Sequence, residues 1–253
     1  MKVAIIGAGR IGGALAALSA EHSLACDLIT REHGHQALSS DAGDPILVAV
    51  RNDDLDPVLE RVPAARRGDL VLIQNGMLRP WLRERGLREV TRGLLFFAVG
   101  CRGDRPLPGA PSPFTGPHAP AMVTWLTTLG LPAEVVDAPT FAAIELEKLI
   151  WNCAFGLLCQ VREADVGVVV DEHAEELQAL VAEMAEIGAR ALGVELDLLP
   201  LVERLSAYSR SIAGYRGAVK EWPWRNGWFV SRAAEYGLAM PVHSALLDLV
   251  GLP

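Results

Sequence analysis

Four apolar residues, Val3 to Ile6, run into a glycine cluster and then into an alanine-rich stretch whose apolar positions recur at helical spacing. That pattern predicts a buried strand feeding a helix. Short apolar runs return at "SLACDLIT", at "PILVAV" after the turn-rich stretch "TREHGHQALSSDAG", and at "DLVLIQ", and "NDDLDPVLERV" between the last two reads as a helix. The next apolar run, "EVTRGLLFFAVG", precedes "CRGDRPLPGAPSPFTGPHAP", where Gly and Pro dominate and turns with short edge strands are expected. Beyond "LPAEVVDAPT" the strand pattern stops. From Thr140 onward the spacing predicts helices over about 140–161, 172–193, 197–212, 223–237 and 243–250.

The glycine cluster sharpens this picture. Gly7, Gly9 and Gly12 in "GAGRIG" have the spacing G-x-G-x-x-G, placed between a strand and a helix as that motif requires. Gly7 allows the tight turn, Gly9 lets a pyrophosphate approach the backbone, and Gly12 lets the helix pack on the sheet. The loop Gly7, Ala8, Gly9, Arg10, Ile11, Gly12 is therefore the expected cofactor-binding element. Strands alternating with helices then predict an α/β N-terminal Rossmann-type doubly wound parallel sheet, here over residues 1–138, plus an all-α C-terminal domain over 139–253. Arg31 ends the second strand, where an acid would hold the ribose diol of NAD and an arginine instead suits the 2'-phosphate of NADP. Arg51 and Asn75 follow later strands, and ligands in such sheets collect at the carboxyl ends of strands. The cleft between the two domains is the expected substrate site.

Composition removes several classes of function. The chain has 253 residues, 51% of them hydrophobic, with a mean hydropathy of +0.25, which excludes disorder. A formal charge of −8 argues against nucleic acid and anionic membranes, both of which need clustered positive charge. Cys26, Cys101, Cys153 and Cys159 show no CxxC spacing and lie in runs that read as buried, so neither a disulfide frame nor a metal site is expected. No window approaches eighteen uninterrupted apolar residues, and Met1-Lys2 leads straight into "VAIIG" without room for a signal peptide, so the cytoplasm is the expected compartment.

One stretch contradicts its surroundings. "FAAIELEKLIWNCAFGLLCQV" is almost wholly apolar, yet it carries Lys148 and, four residues on, Asn152, which project from one helical face. A buried ammonium needs a partner or a cavity. Lys148 reads either as a rim lysine paired with Glu145 along the helix, or as a lysine held at a cleft with its pKa drawn toward neutrality, able to protonate a carbonyl oxygen as hydride arrives at carbon.

"GAGRIG", "QNGM" at Gln74 to Met77, "EKLIWNC" at Glu147 to Cys153 and "NGWFVSRAAEYGLAMPVHSALLDLV" near the end together resemble the ketopantoate reductase family. The resemblance implies NADP-dependent reduction of 2-dehydropantoate (ketopantoate) to pantoate, with Lys148 as catalytic lysine paired by Glu221, and with Asn75, Asn152 and Ser209 at the substrate. It also places Arg31 and Arg51 at the cofactor phosphates. Three departures stand out. Gly156 occupies the position, eight residues after Lys148, where the family usually has a second asparagine; "LLFFAVG" makes one strand end more apolar; and the segment before "PILVAV" is short. The expected function is NADPH-dependent reduction of a 2-oxo acid, with 2-dehydropantoate as leading substrate. A bulkier or more apolar oxo acid, or an imine, is the alternative, and a non-catalytic NADP-binding sensor or partner protein is the alternative of another class. Trp222, Trp224 and Trp228 read as interface aromatics, and a homodimer through the helical half is expected.

Overall fold

The computed structural model describes residues 2–32, 38 and 43–253. Most of the stretch read as turn-rich, "TREHGHQALSSDAG", lies outside the described residues. The chain divides into two compact units, Met1–Phe141 and Ala142–Pro253.

The first unit is built on a seven-stranded sheet of order β2-β1-β3-β4-β5-β6-β7. Its strands are β1 (Val3–Ile6), β2 (Cys26–Ile29), β3 (Ile46–Val48), β4 (Leu70–Leu72), β5 (Thr91–Gly93), β6 (Ser112–Thr115) and β7 (Ala133–Val135). Helices α1 (Arg10–Glu21), α2 (Leu55–Arg61), α3 (Arg79–Glu84) and α4 (Ala119–Thr128) connect them. The pairs β2–β1, β1–β3, β3–β4 and β4–β5 are parallel, with Ile5 opposite both Leu28 and Leu47. Val3, Ile5, Leu15, Val71, Phe114 and Met122 are fully buried within one apolar cluster. This is the expected doubly wound sheet, with one correction. β6 pairs antiparallel with β5 and parallel with β7, so part of the Gly- and Pro-rich stretch expected at an edge lies inside the sheet. The reason is local: a side chain at Gly93 would stand 2.2 Å from the Phe114 ring, so glycine there lets the ring cover β5, while Pro113 still offers its carbonyl to Leu94 N–H at 3.0 Å.

The second unit is helical throughout its described structure. It comprises α5 (Ala138–Arg162, which begins in the last residues of the first unit), α6 (Val166–Glu172), α7 (Ala174–Leu192), α8 (Leu198–Ser211), α9 (Asn226–Tyr236) and α10 (Pro241–Leu249), with a short 3-10 turn at Trp222–Trp224. α5 supplies the core: Leu146, Ile150, Cys153, Ala154, Leu157 and Leu158 are all fully buried. The start of α10 is closed from α7, because the Glu183 carboxylate accepts Val242 N–H at 2.8 Å and His243 N–H at 2.9 Å, satisfying two donors that a helix start leaves unpaired. Trp228 is core, edge-on to Phe229 at 5.0 Å, while Trp222 and Trp224 are half-buried.

The cysteines are all free, but only Cys153 and Cys159 are buried; Cys26 is half-buried and Cys101 exposed, since the loop at Gly100–Asp104 turns outward. Among the described residues, no helix is long and apolar enough to cross a membrane. Nor does any group of three or more metal-ligating side chains occur among them.

Candidate active site

In the first unit the glycine loop has the stereochemistry read from its spacing. Gly7 adopts φ +109°, and a side chain there would stand 2.7 Å from Ala49 O. A side chain at Gly12 would stand 1.9 Å from Gly7 O, so α1 could not approach the turn with any other residue. Gly9 differs, because its nearest neighbour would be Ala49 O at 3.9 Å. The protein's own packing does not demand glycine at this position, and the room it leaves suits a ligand laid against the backbone. α1 has no side-chain cap and no acid in its first turn, so its free N–H groups are available to an anion. These residues fit the pyrophosphate of a dinucleotide.

The other sequence-predicted residues of the first unit, and one that was missed, take the following places. Arg10 Nη1 donates to Gly100 O at 3.1 Å, and Ile11 packs against the apolar cluster. The missed residue is Arg102, which donates from Nε and Nη2 to Ala8 O at 3.2 and 2.6 Å, fastening the Gly100–Asp104 loop to the glycine turn. Arg31 is 83% exposed and pairs with Asp54 at 3.1 Å, and the exposed Arg51 offers its carbonyl to Asp54 N–H at 3.0 Å. Asn75 presents an exposed side chain at a turn where Gly76 has φ +95°. That turn is held from below: Asn52 Nδ2 donates to Asn75 O at 2.9 Å, and Gln74 Nε2 donates to Val48 O at 2.7 Å.

In the second unit Lys148, Asn152 and Glu221 converge, and they gather around a residue the sequence reading passed over, Arg225. Asn152, one turn beyond Lys148 on α5, donates from Nδ2 to Lys148 O at 2.7 Å and accepts Arg225 Nη1 on its Oδ1 at 3.3 Å. Arg225 Nη2 donates to Glu221 Oε2 at 2.6 Å. The expected carboxylate beside Lys148 is thus engaged by a second cation. Burial of the Lys148 ammonium, the larger cause, and repulsion from the Arg225 guanidinium draw the lysine pKa down to about 7. A cation four residues after Glu221 was the available signal for Arg225, but the 73-residue separation from Asn152 hid its destination.

Ser209 has a different place. It is fully buried, donates to Leu205 O at 2.8 Å and accepts Trp151 Nε1–H at 2.9 Å, so the hydroxyl expected at the substrate holds the indole. Trp151 in turn stacks on Phe155 and Tyr215, with ring centroids 5.8 and 6.0 Å away. Together with Asn152, Gly156, Lys220 and Arg225, Trp151 and Tyr215 line a small pocket. Gly156 is not an empty place in that pocket. A side chain there would stand 2.9 Å from Ala218 O, because the backbone at Gly217 and Ala218 lies directly on α5, where Gln160 Oε1 accepts Val219 N–H at 3.1 Å. The side chain that the resemblance leads one to look for at this position has no room, because a passing stretch of backbone fills the space.

The first unit thus carries a dinucleotide-type sheet with an open glycine loop, and the helical unit holds a lysine whose pKa is drawn to about 7 near the Arg225 guanidinium. Residues 140–252 match the family model "Ketopantoate reductase PanE/ApbA C terminal". Solved structures share the fold over 99% of this chain. They include D-mandelate dehydrogenase in a ternary structure with NADH and anilino(oxo)acetate (16% identity, TM-score 0.79, 97% of that chain covered). A PanE/ApbA family ketopantoate reductase from Ralstonia eutropha JMP134 (23%, 0.73, 97%) and a dimeric ketopantoate reductase from Staphylococcus aureus (16%, 0.76, 98%) are similar in the same way. No curated protein matches in sequence.

Proposed function

We propose that this protein is an NADPH-dependent reductase of a 2-oxo acid, with 2-dehydropantoate as its leading substrate. The observation that carries the reading is Lys148, a half-buried lysine with its pKa near 7 beside Asn152, in a region that matches the ketopantoate reductase C-terminal family model. When bound, a reduced nicotinamide supplies the hydride. Lys148 polarises the keto oxygen, donates its proton to the alkoxide that forms when hydride reaches carbon, and regains a proton from solvent. Asn152 holds the lysine's own backbone and fixes the turn of α5 from which the ammonium projects. The loop Gly7 to Gly12 would hold the pyrophosphate, Asn75 would face the ligand from its turn, and Arg31 with Arg51 would meet the 2'-phosphate, which favours NADPH over NADH.

A bulkier, more apolar oxo acid is the second reading. The aromatic wall of Trp151 and Tyr215 favours it, as does the likeness to a mandelate dehydrogenase fold. A non-catalytic NADP sensor would have no use for a lysine tuned near neutrality. The unpaired cysteines agree with a reducing cytoplasm, and the exposed Val168, Leu199, Tyr208, Val230 and Leu249 of the helical unit suit a homodimer.

The test is loss of NADPH absorbance with 2-dehydropantoate beside aryl and branched 2-oxo acids. Turnover should vanish in Lys148→Ala, and the wild-type reduction rate should fall as pH rises through about 7, since the acid is active only when protonated. Turnover that survives Lys148→Ala sinks the proposal.

A further inference from the structure

Arg225 does more in this site than its pairing with Glu221 explains. It is 8% exposed, yet among the described residues its guanidinium donates only through Nη2 to Glu221 and, at 3.3 Å, through Nη1 to Asn152. Its Nε is buried with no hydrogen-bond partner. A guanidinium carries five donors in a planar fork, and leaving one unpaired and out of water is costly. The pocket that Arg225 lines also contains Lys220 and Asn152 but no carboxylate. A pocket walled by two cations and an amide suits an anion.

The backbone supports the same reading. Glu221 is one of the few non-glycine residues with positive φ, at +49°, and its carbonyl accepts Trp224 N–H at 2.9 Å, closing a tight turn that ends at Arg225. A left-handed glutamate is unfavourable and needs a compensating contact. Here that contact is the Glu221–Arg225 ion pair, which fixes the guanidinium toward Asn152 rather than toward solvent.

We propose that Arg225 recognises the carboxylate of the substrate, with Glu221 as its positioning residue; this rests on the 2-oxo acid reading above. A carboxylate meets the guanidinium fork through two parallel hydrogen bonds, which orients the adjacent keto carbon as a lysine at the same point could not. The substrate anion also offsets the repulsion that Arg225 exerts on Lys148, so binding strengthens the proton donor's hold on its proton at the moment it is needed. Gly156 fits the arrangement: with Ala218 backbone laid over that turn of α5, a polar side chain cannot reach the substrate from there, and the recognition group comes from the turn before α9 instead.

The experiment is calorimetric titration of the NADPH-bound protein with oxamate, an unreduced 2-oxo acid mimic, and with its neutral twin oxamide. Wild type should prefer oxamate. Arg225→Ala should lower that preference about 100-fold, as expected for loss of a buried charge-assisted fork. Arg225→Lys, which keeps the charge and tolerates the turn should the alanine variant fail to fold, should recover only part of it. Lys148→Ala should retain most of the preference while losing turnover. A preference for oxamate that survives in both Arg225 variants overturns the assignment, as does an equal loss in Lys148→Ala, which would make the cation pair and not the fork the recognition element. Absence of turnover on every 2-oxo acid, with the oxamate pattern intact, would instead defeat the reductase reading alone.

Discussion

Gly156 shows how a single position changes meaning between sequence and structure. Along the sequence it is a missing amide; in the fold it is a contact between two backbones, since a side chain at Gly217 would likewise stand 3.1 Å from Gly156 Cα. Restoring an asparagine therefore forces the 217–219 segment off α5. Gly156→Asn should destabilise the protein by about 2 kcal/mol, in the range of overpacked positions, and should raise no activity on 2-dehydropantoate. Urea denaturation beside kinetics reads both, and an unchanged midpoint would show that the segment yields freely. Lys148 and Asn152 were legible because helical spacing alone puts them on one face. Arg225 was not, because nothing local says that the residue before α9 reaches back to α5.

At the scale of elements, α5 and α8 are joined by the hydrogen bond from Trp151 to Ser209, a residue that the resemblance assigns to the substrate. If Ser209 is spent on Trp151, Ser209→Ala leaves a buried indole N–H unpaired and should cost about 1–2 kcal/mol of stability, seen as a lower denaturation midpoint. A change in KM at unchanged stability would return Ser209 to the substrate. The helix α6 was missed for a related reason. "VGVVVDE" is rich in β-branched residues that favour strands, but Gly167 lets the backbone at Ala213 pack against it, Gly167 N–H donates to Ala213 O at 3.0 Å, and tertiary burial outweighs local preference. β6 was misplaced in the same way, its Gly- and Pro-rich flanks masking a fully buried Phe114.

For the molecule as a whole, stability toward acid is tied to His243, which is fully buried, accepts from Asn226 Nδ2 at 3.1 Å and has its pKa pushed down to about 4 by burial. In the unfolded chain the same imidazole titrates near 6.5, so between these values the unfolded state binds the extra proton. Stability from this group is complete above about pH 6.5 and is lost as pH falls toward 4, by about 3 kcal/mol for a shift of this size. Chemical denaturation across that window should show the loss, and His243→Gln should flatten it; a wild-type curve level from pH 6.5 to 4.5 would contradict the assignment. What the sequence determined by itself is whatever depends on neighbours along the chain: the strand-turn-helix start with its glycine spacing, the change from alternating elements to helices after Thr140, and the shared face of Lys148 and Asn152. Only the tertiary structure decided which distant groups meet them. Arg225, the backbone over Gly156 and the burial of Ser209 and His243 depend on contacts between residues far apart in sequence, and no local propensity encodes where such segments come to rest.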